Sequence, residues 1–112
     1  MLNKVLMNYE ISEDRNIYST FTLEKITVDI EIIKSVTSDN CFINIKQNGK
    51  YVVLNKLCTA GEYIMYEARQ SVNSLLQGDF FFEYETKEYQ DRNFNYKELG
   101  KRLFLFYDNL EA

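Results

Sequence analysis

Apolar and polar residues alternate along most of this chain with the two-residue period of β-strands. Ile17, Ser19, Phe21 and Leu23 fall on one face of a predicted strand, and Tyr18, Thr20 and Thr22 on the other. Ile26, Val28, Ile30 and Ile32 line one face of the next strand, opposite Thr27, Asp29, Glu31 and Ile33. β-Branched residues dominate there and disfavour a helix. Phe42, Ile43 and Ile45 form a short strand, and Asn48-Gly49 predicts a tight hairpin leading into Tyr51–Leu57. The helical period appears in the following stretch, where Met65, Ala68, Val72, Leu75 and Leu76 recur at three- and four-residue spacing. Thr59 and Glu62 match a capping box before it, and Gly78 stands where a left-handed residue would close it. A helix over residues 60–77 is the expectation. Phe80 to Thr86 is again a strand, with Phe80, Phe82 and Tyr84 opposite Phe81, Glu83 and Glu85. Lys87–Gly100 is a polar loop carrying Tyr89, Phe94 and Tyr96, and the apolar run Leu103–Tyr107 suits a strand buried on both faces. Met1–Tyr9 completes the set as a first strand. The pattern predicts an α+β class: a mainly antiparallel sheet of about six or seven strands, with one long helix packed on one face.

Composition narrows the picture. A chain of 112 residues, 46% hydrophobic and 15% aromatic, fits one globular domain over residues 1–112. No apolar run is long enough for a membrane span, and no signal peptide opens the chain, so a cytoplasmic location is expected. The net charge of −4 argues against nucleic acid as the main partner and fits a cationic ligand or a basic protein partner, though ordinary solubility alone accounts for it equally simply. Histidine is absent, which removes Cys/His zinc sites and Ser-His or Cys-His nucleophiles. Cys41 and Cys58 read as buried thiols, and no metal or cofactor is expected.

Two features carry candidate chemistry. Glu83 and Glu85 share a strand face with Phe81. Turned inward, they would be carboxylates among rings, where burial demands a partner or raises the pKa; turned outward, they are the wet face of a strand. Nine Tyr and eight Phe are the second feature, with Tyr63, Tyr66, Phe81, Tyr84, Phe104, Phe106 and Tyr107 gathered around the helix and the last two strands. Such rings either fill a core or wall a cleft for flat cations, each contact worth ~0.5–2 kcal/mol.

Gly49-Lys50-Tyr51-Val52-Val53, then Ala60-Gly61-Glu62-Tyr63, Phe82-Glu83-Tyr84-Glu85 and a closing apolar strand resemble, over residues 26–108, the second half of GyrI-like effector-binding domains. Val28–Ile32 resembles the family's preceding strand. These are the drug-binding domains of MerR-type and AraC-type multidrug regulators such as BmrR. The resemblance implies a non-catalytic domain, linked to transcription regulation, that binds aromatic or cationic lipophilic small molecules in a cleft. Glu83 would meet the cation with Glu85 beside it, Tyr63 takes the Gly-x-Tyr position, and Tyr107 is a wall; Tyr66, Phe81 and Phe104 complete the expected ligand-binding set. No first helix stands among residues 1–35 and no helix-turn-helix is present. The implied version is therefore stand-alone, shortened or excised, touches no DNA directly, and has a cleft that is either left open or filled by a second copy in a homodimer. A second reading is an acidic interaction module (an inhibitor, immunity or anti-defence protein) docking a basic partner through the tyrosine-bearing 87–100 loop. Catalysis by Glu83 or Glu85 with Tyr107 lacks a second catalytic feature, so no enzyme is expected.

Overall fold

The alternating strands pair into two antiparallel sheets. The computed structural model describes residues 2–12, 14–68, 74–89 and 92–109. Strands β2 (Ile17–Leu23), β3 (Ile26–Lys34), β4 (Cys41–Gln47) and β5 (Lys50–Leu57) form a four-stranded meander in that order. Strands β1 (Leu2–Lys4), β7 (Leu103–Asp108) and β6 (Asp79–Tyr84) form a three-stranded sheet with β7 in the middle. The core lies between them. Ile17, Val28, Ile30, Ile32, Ile43 and Ile45 from one sheet share it with Phe80, Phe82, Leu103, Leu105 and Tyr107 from the other. The Phe21 and Phe80 rings meet edge to face across it at 6.3 Å. Each such side chain contributes roughly 1.5–3 kcal/mol through removal from water.

The hairpins follow local chemistry. Asn48 (φ 50°) and Gly49 (φ 82°) make the two-residue turn between β4 and β5 that their sequence predicts. Glu24 (φ 51°) and Lys25 (φ 67°) make the same left-handed turn between β2 and β3. Neither residue is a usual choice for that conformation, so tertiary contacts hold it. Within β5 a register shift accompanies Asn55 (φ 53°), whose amide donates to the buried Asn44 side chain at 2.6 Å.

The long helix is corrected. Among the described residues it is a five-residue helix, α1 (Ile64–Ala68); residues 69–73, the middle of the expected span, lie outside the described residues. Leu75–Gly78 is bent chain rather than helix. The capping box fails for a tertiary reason. Gly61 N donates to Phe82 O at 2.7 Å and Ala60 bridges Phe82, so the chain is still extended where Thr59 would have to cap. Among the described residues the Thr59 hydroxyl reaches the Glu62 carboxylate, at 3.4 Å, and no backbone amide. The cap comes instead from buried Asp79, which accepts from the amides of Met65 (2.7 Å), Tyr66 (2.5 Å) and Phe80 (2.7 Å). Gly78 is not a left-handed cap either. A Cβ there would lie 1.9 Å from Asp108 O, so close approach of two backbones requires the glycine.

Two smaller corrections concern the strands. The first ends at Lys4 instead of running to Tyr9. β7 is not buried on both faces: Leu103, Leu105 and Tyr107 are buried, while Phe104 and Phe106 are half-covered on the outside. Among the described residues, no helix is long and apolar enough to cross a membrane.

Candidate protein interface

β6 sends the expected ligand-binding residues in different directions. Phe80, Phe82 and Tyr84 face the core; Phe81 and Glu83 face outward. The Phe81 ring stacks on Phe106 at 5.7 Å and meets Tyr63 edge to face at 5.6 Å, which covers Phe81. The exposed Tyr63 donates to Asp108 at 2.8 Å, and that bond raises its phenol pKa. Glu83 is half-buried opposite Phe104, while Glu85 is exposed and ion-paired with Lys4. Tyr66 is 64% exposed. Tyr107 lies on the opposite, inner side of the same sheet. β6 ends at Tyr84, so Glu85 lies just past the strand expected to carry it, while Glu83 faces outward and is half-buried. Neither lines the main groove or a smaller one of about 400 Å³.

The main groove, about 1090 Å³, lies between residues 4–15 and residues 96–104. Its first wall follows β1. Val5 N donates to Leu105 O at 2.8 Å, and the chain then leaves the sheet. Tyr9 anchors it: the phenol donates to Val5 O at 2.6 Å and accepts from Leu105 N at 3.2 Å, while its ring stands edge-on to Phe104 at 5.4 Å. Burial pushes the Tyr9 phenol up to about 12, only partly offset by the Leu105 bond. Ser12 and Arg15 exchange backbone hydrogen bonds of 3.0 and 3.2 Å, closing a tight turn. The second wall is a 3-10 turn, Tyr96–Glu98, capped by Asn95, whose side chain accepts from Lys97 N at 3.1 Å. Gly100 (φ 79°) brings this wall against the first, since a Cβ there would sit 2.6 Å from the Tyr9 Cβ.

The groove combines apolar surface with a cationic excess. Leu6, Met7, Ile11, Tyr96 and Phe104 supply apolar surface, and Leu6 is 86% exposed. Lys4, Arg15, Lys97 and Lys101 supply four cations against the single carboxylate of Glu10. Lys4 is engaged by Glu85 and by the Phe104 ring, 3.9 Å from its ammonium; Arg15 pairs with Glu10 at 3.0 Å. Lys97 and Lys101 form no ion pair with a described residue. A chain of net charge −4 thus presents one cationic concavity, the reverse of an acidic drug cleft. Of the seven expected site residues, Phe104 alone lines it. Sequence reading missed Tyr9, Ile11, Lys97 and Lys101; the first wall's one signal was the adjacent apolar pair Leu6-Met7, which breaks strand alternation, and the second wall had none. Among the described residues, no cluster of three or more Cys, Asp or Glu is arranged to hold a metal.

Comparison with curated proteins gives no match. A family model described as "Cyanophage baseplate Pam3 plug gp18" matches residues 7–111. That match replaces the GyrI-like resemblance, and with it the drug-binding, transcription-regulating function and the small-molecule partner. Gly-Lys-Tyr and Phe-Glu-Tyr-Glu are short patterns that antiparallel hairpins produce on many sheets. The chain belongs to the cyanophage baseplate Pam3 plug gp18 family.

Proposed function

We propose that this chain is a structural, non-catalytic component of a phage baseplate, seated against other phage proteins through the 4–15/96–104 groove. The family match over residues 7–111 carries the reading. The groove supports it, because apolar side chains interspersed with cations suit an apolar segment bearing Asp or Glu from a neighbouring protein. The interior suits a part that must hold its shape. Among the described residues no buried side-chain polar atom lacks a hydrogen bond. Buried Gln47 shows how: it donates to Ser74 Oγ (2.8 Å) and accepts from Leu75 N (2.6 Å), tying β4 to the chain that enters β6. Of the earlier interaction-module reading, docking onto proteins agrees with the family, whereas the inhibitor, immunity and anti-defence roles find no support in it. Purified phage particles test the proposal. The chain should be present in the baseplate, with lysine cross-links from Lys97 or Lys101 to acidic-segment neighbours. Baseplates that assemble fully without it would sink the reading.

A further inference from the structure

Three of the four sheet edges are blunted. β1 is three residues long and carries Lys4. β5 is broken in register near Asn55 and carries Lys50 and Lys56. β6 is covered where Gly61 N donates to Phe82 O. Short strands, lysines, bulges and covering segments all deter further pairing. The fourth edge, β2, has none of these: its seven residues, Ile-Tyr-Ser-Thr-Phe-Thr-Leu, include no charge, glycine or proline. No described residue pairs with its outer side.

The turn fixes which backbone groups face out. A two-residue turn at Glu24-Lys25 makes Leu23 and Ile26 a hydrogen-bonded pair. By alternation Ile17, Ser19, Phe21 and Leu23 bond to β3, and Tyr18, Thr20 and Thr22 turn their N–H and C=O groups away from it. The Tyr18 and Thr20 hydroxyls both reach Asp29 on the outer face, at 3.5 and 2.5 Å, which keeps them clear of that edge. Phe21 and Leu23 stay half-exposed on the inner rim. β2 also begins two residues after Arg15, which lines the groove.

We propose that β2 receives an extended segment of a neighbouring baseplate protein as an added strand, paired through the backbones of Tyr18, Thr20 and Thr22. The added strand places apolar side chains beside Phe21 and Leu23 on the inner face, and hydroxyl or other polar side chains beside Tyr18 and Thr20 on the outer face, one strand away from Asp29. This inference rests on the baseplate reading. Amide exchange in isolated chain and in assembled baseplate tests it: the Tyr18, Thr20 and Thr22 amides should slow by at least about tenfold on assembly. Thr20→Pro removes a backbone donor that β3 does not use, and Thr20→Ala loses the same hydroxyl bond to Asp29 but keeps that donor, so the two variants should melt alike while Thr20→Pro enters baseplates about tenfold less well than Thr20→Ala. A chain seated in the baseplate with those amides still exchanging freely, or with β2 paired to a second copy's β2, overturns this inference and leaves the baseplate reading standing. A chain absent from the baseplate overturns both.

Discussion

Tyr107 donates a 2.5 Å hydrogen bond to Glu24, 83 positions earlier, and accepts a 2.9 Å bond from the amide of Gly78. Glu24 also accepts from Gln77 N at 3.1 Å. One phenol and one carboxylate therefore join β7, the β2–β3 turn and the approach to β6, and hold Glu24 in its left-handed conformation. Tyr107→Phe leaves the buried Gly78 N–H without this acceptor and should destabilise the fold by about 1–3 kcal/mol. Each kcal/mol lowers the Tm by roughly 4–8 °C in a domain near this size. An unchanged urea midpoint would show that the link is incidental.

Gly78 and Gly61 separate two reasons for glycine. Gly78→Ala drives a Cβ into Asp108 O at 1.9 Å and should prevent folding or cost more than about 3 kcal/mol. Gly61 has open space around its Cβ position but φ 82°, so Gly61→Ala should cost about 1–2 kcal/mol from backbone strain alone. Paired denaturation curves check the order; equal losses would refute it.

Asp79 carries three amides at the start of α1 and β6. Asp79→Ala strands them in the core and should cost about 3 kcal/mol or more, with Asp79→Asn milder. Amide exchange should quicken first at residues 64–68, because that helix is too short to stand without its cap. Uniform quickening across all strands would contradict the local role.

High pH should weaken this fold gradually. Burial raises the Cys41 thiol from 9.0 to about 11, the Cys58 thiol further, and the Tyr9 phenol from 10.0 to about 12. The folded chain keeps these protons at a pH where the unfolded chain has lost them. Stability is thus complete below about 9 and falls as pH rises towards 12. Urea midpoints across that range should decline, with a shallower slope in Cys58→Ala and Tyr9→Phe. A flat profile would count against burial as the cause.

Periodicity revealed the sheet because register and burial coincide: one face of β2, β3 and β4 is apolar and the same face is buried. The Asn48-Gly49 hairpin was legible for an equally local reason. The helix misled because its cap is non-local. Thr59 and Glu62 have the right spacing, but pairing of Ala60 with Phe82 keeps them extended, and Asp79 lies beyond the helix in sequence. The groove was illegible for a similar reason. Its two walls stand at opposite ends of the chain and meet through Tyr9 and Gly100, a contact that no spacing encodes. Glu83 and Glu85 drew attention as a pair, yet which way a strand face turns depends on the whole sheet.

The charge in the groove makes the last prediction. Lys97 and Lys101 are exposed and have no ion pair with a described residue, so reversing them removes only a distant contact of the Lys97 ammonium with the Tyr96 ring, at 6.0 Å. Lys97→Glu with Lys101→Glu should leave stability within about 0.5 kcal/mol. The same change places two carboxylates where a partner's acidic segment would approach, which slows association and reverses its salt dependence. Incorporation into baseplates should fall for the double variant at low salt and partly recover as salt rises. Lys50→Glu, on β5 and away from both the groove lining and β2, should incorporate normally. If both variants assemble alike at every salt concentration, the partner docks elsewhere.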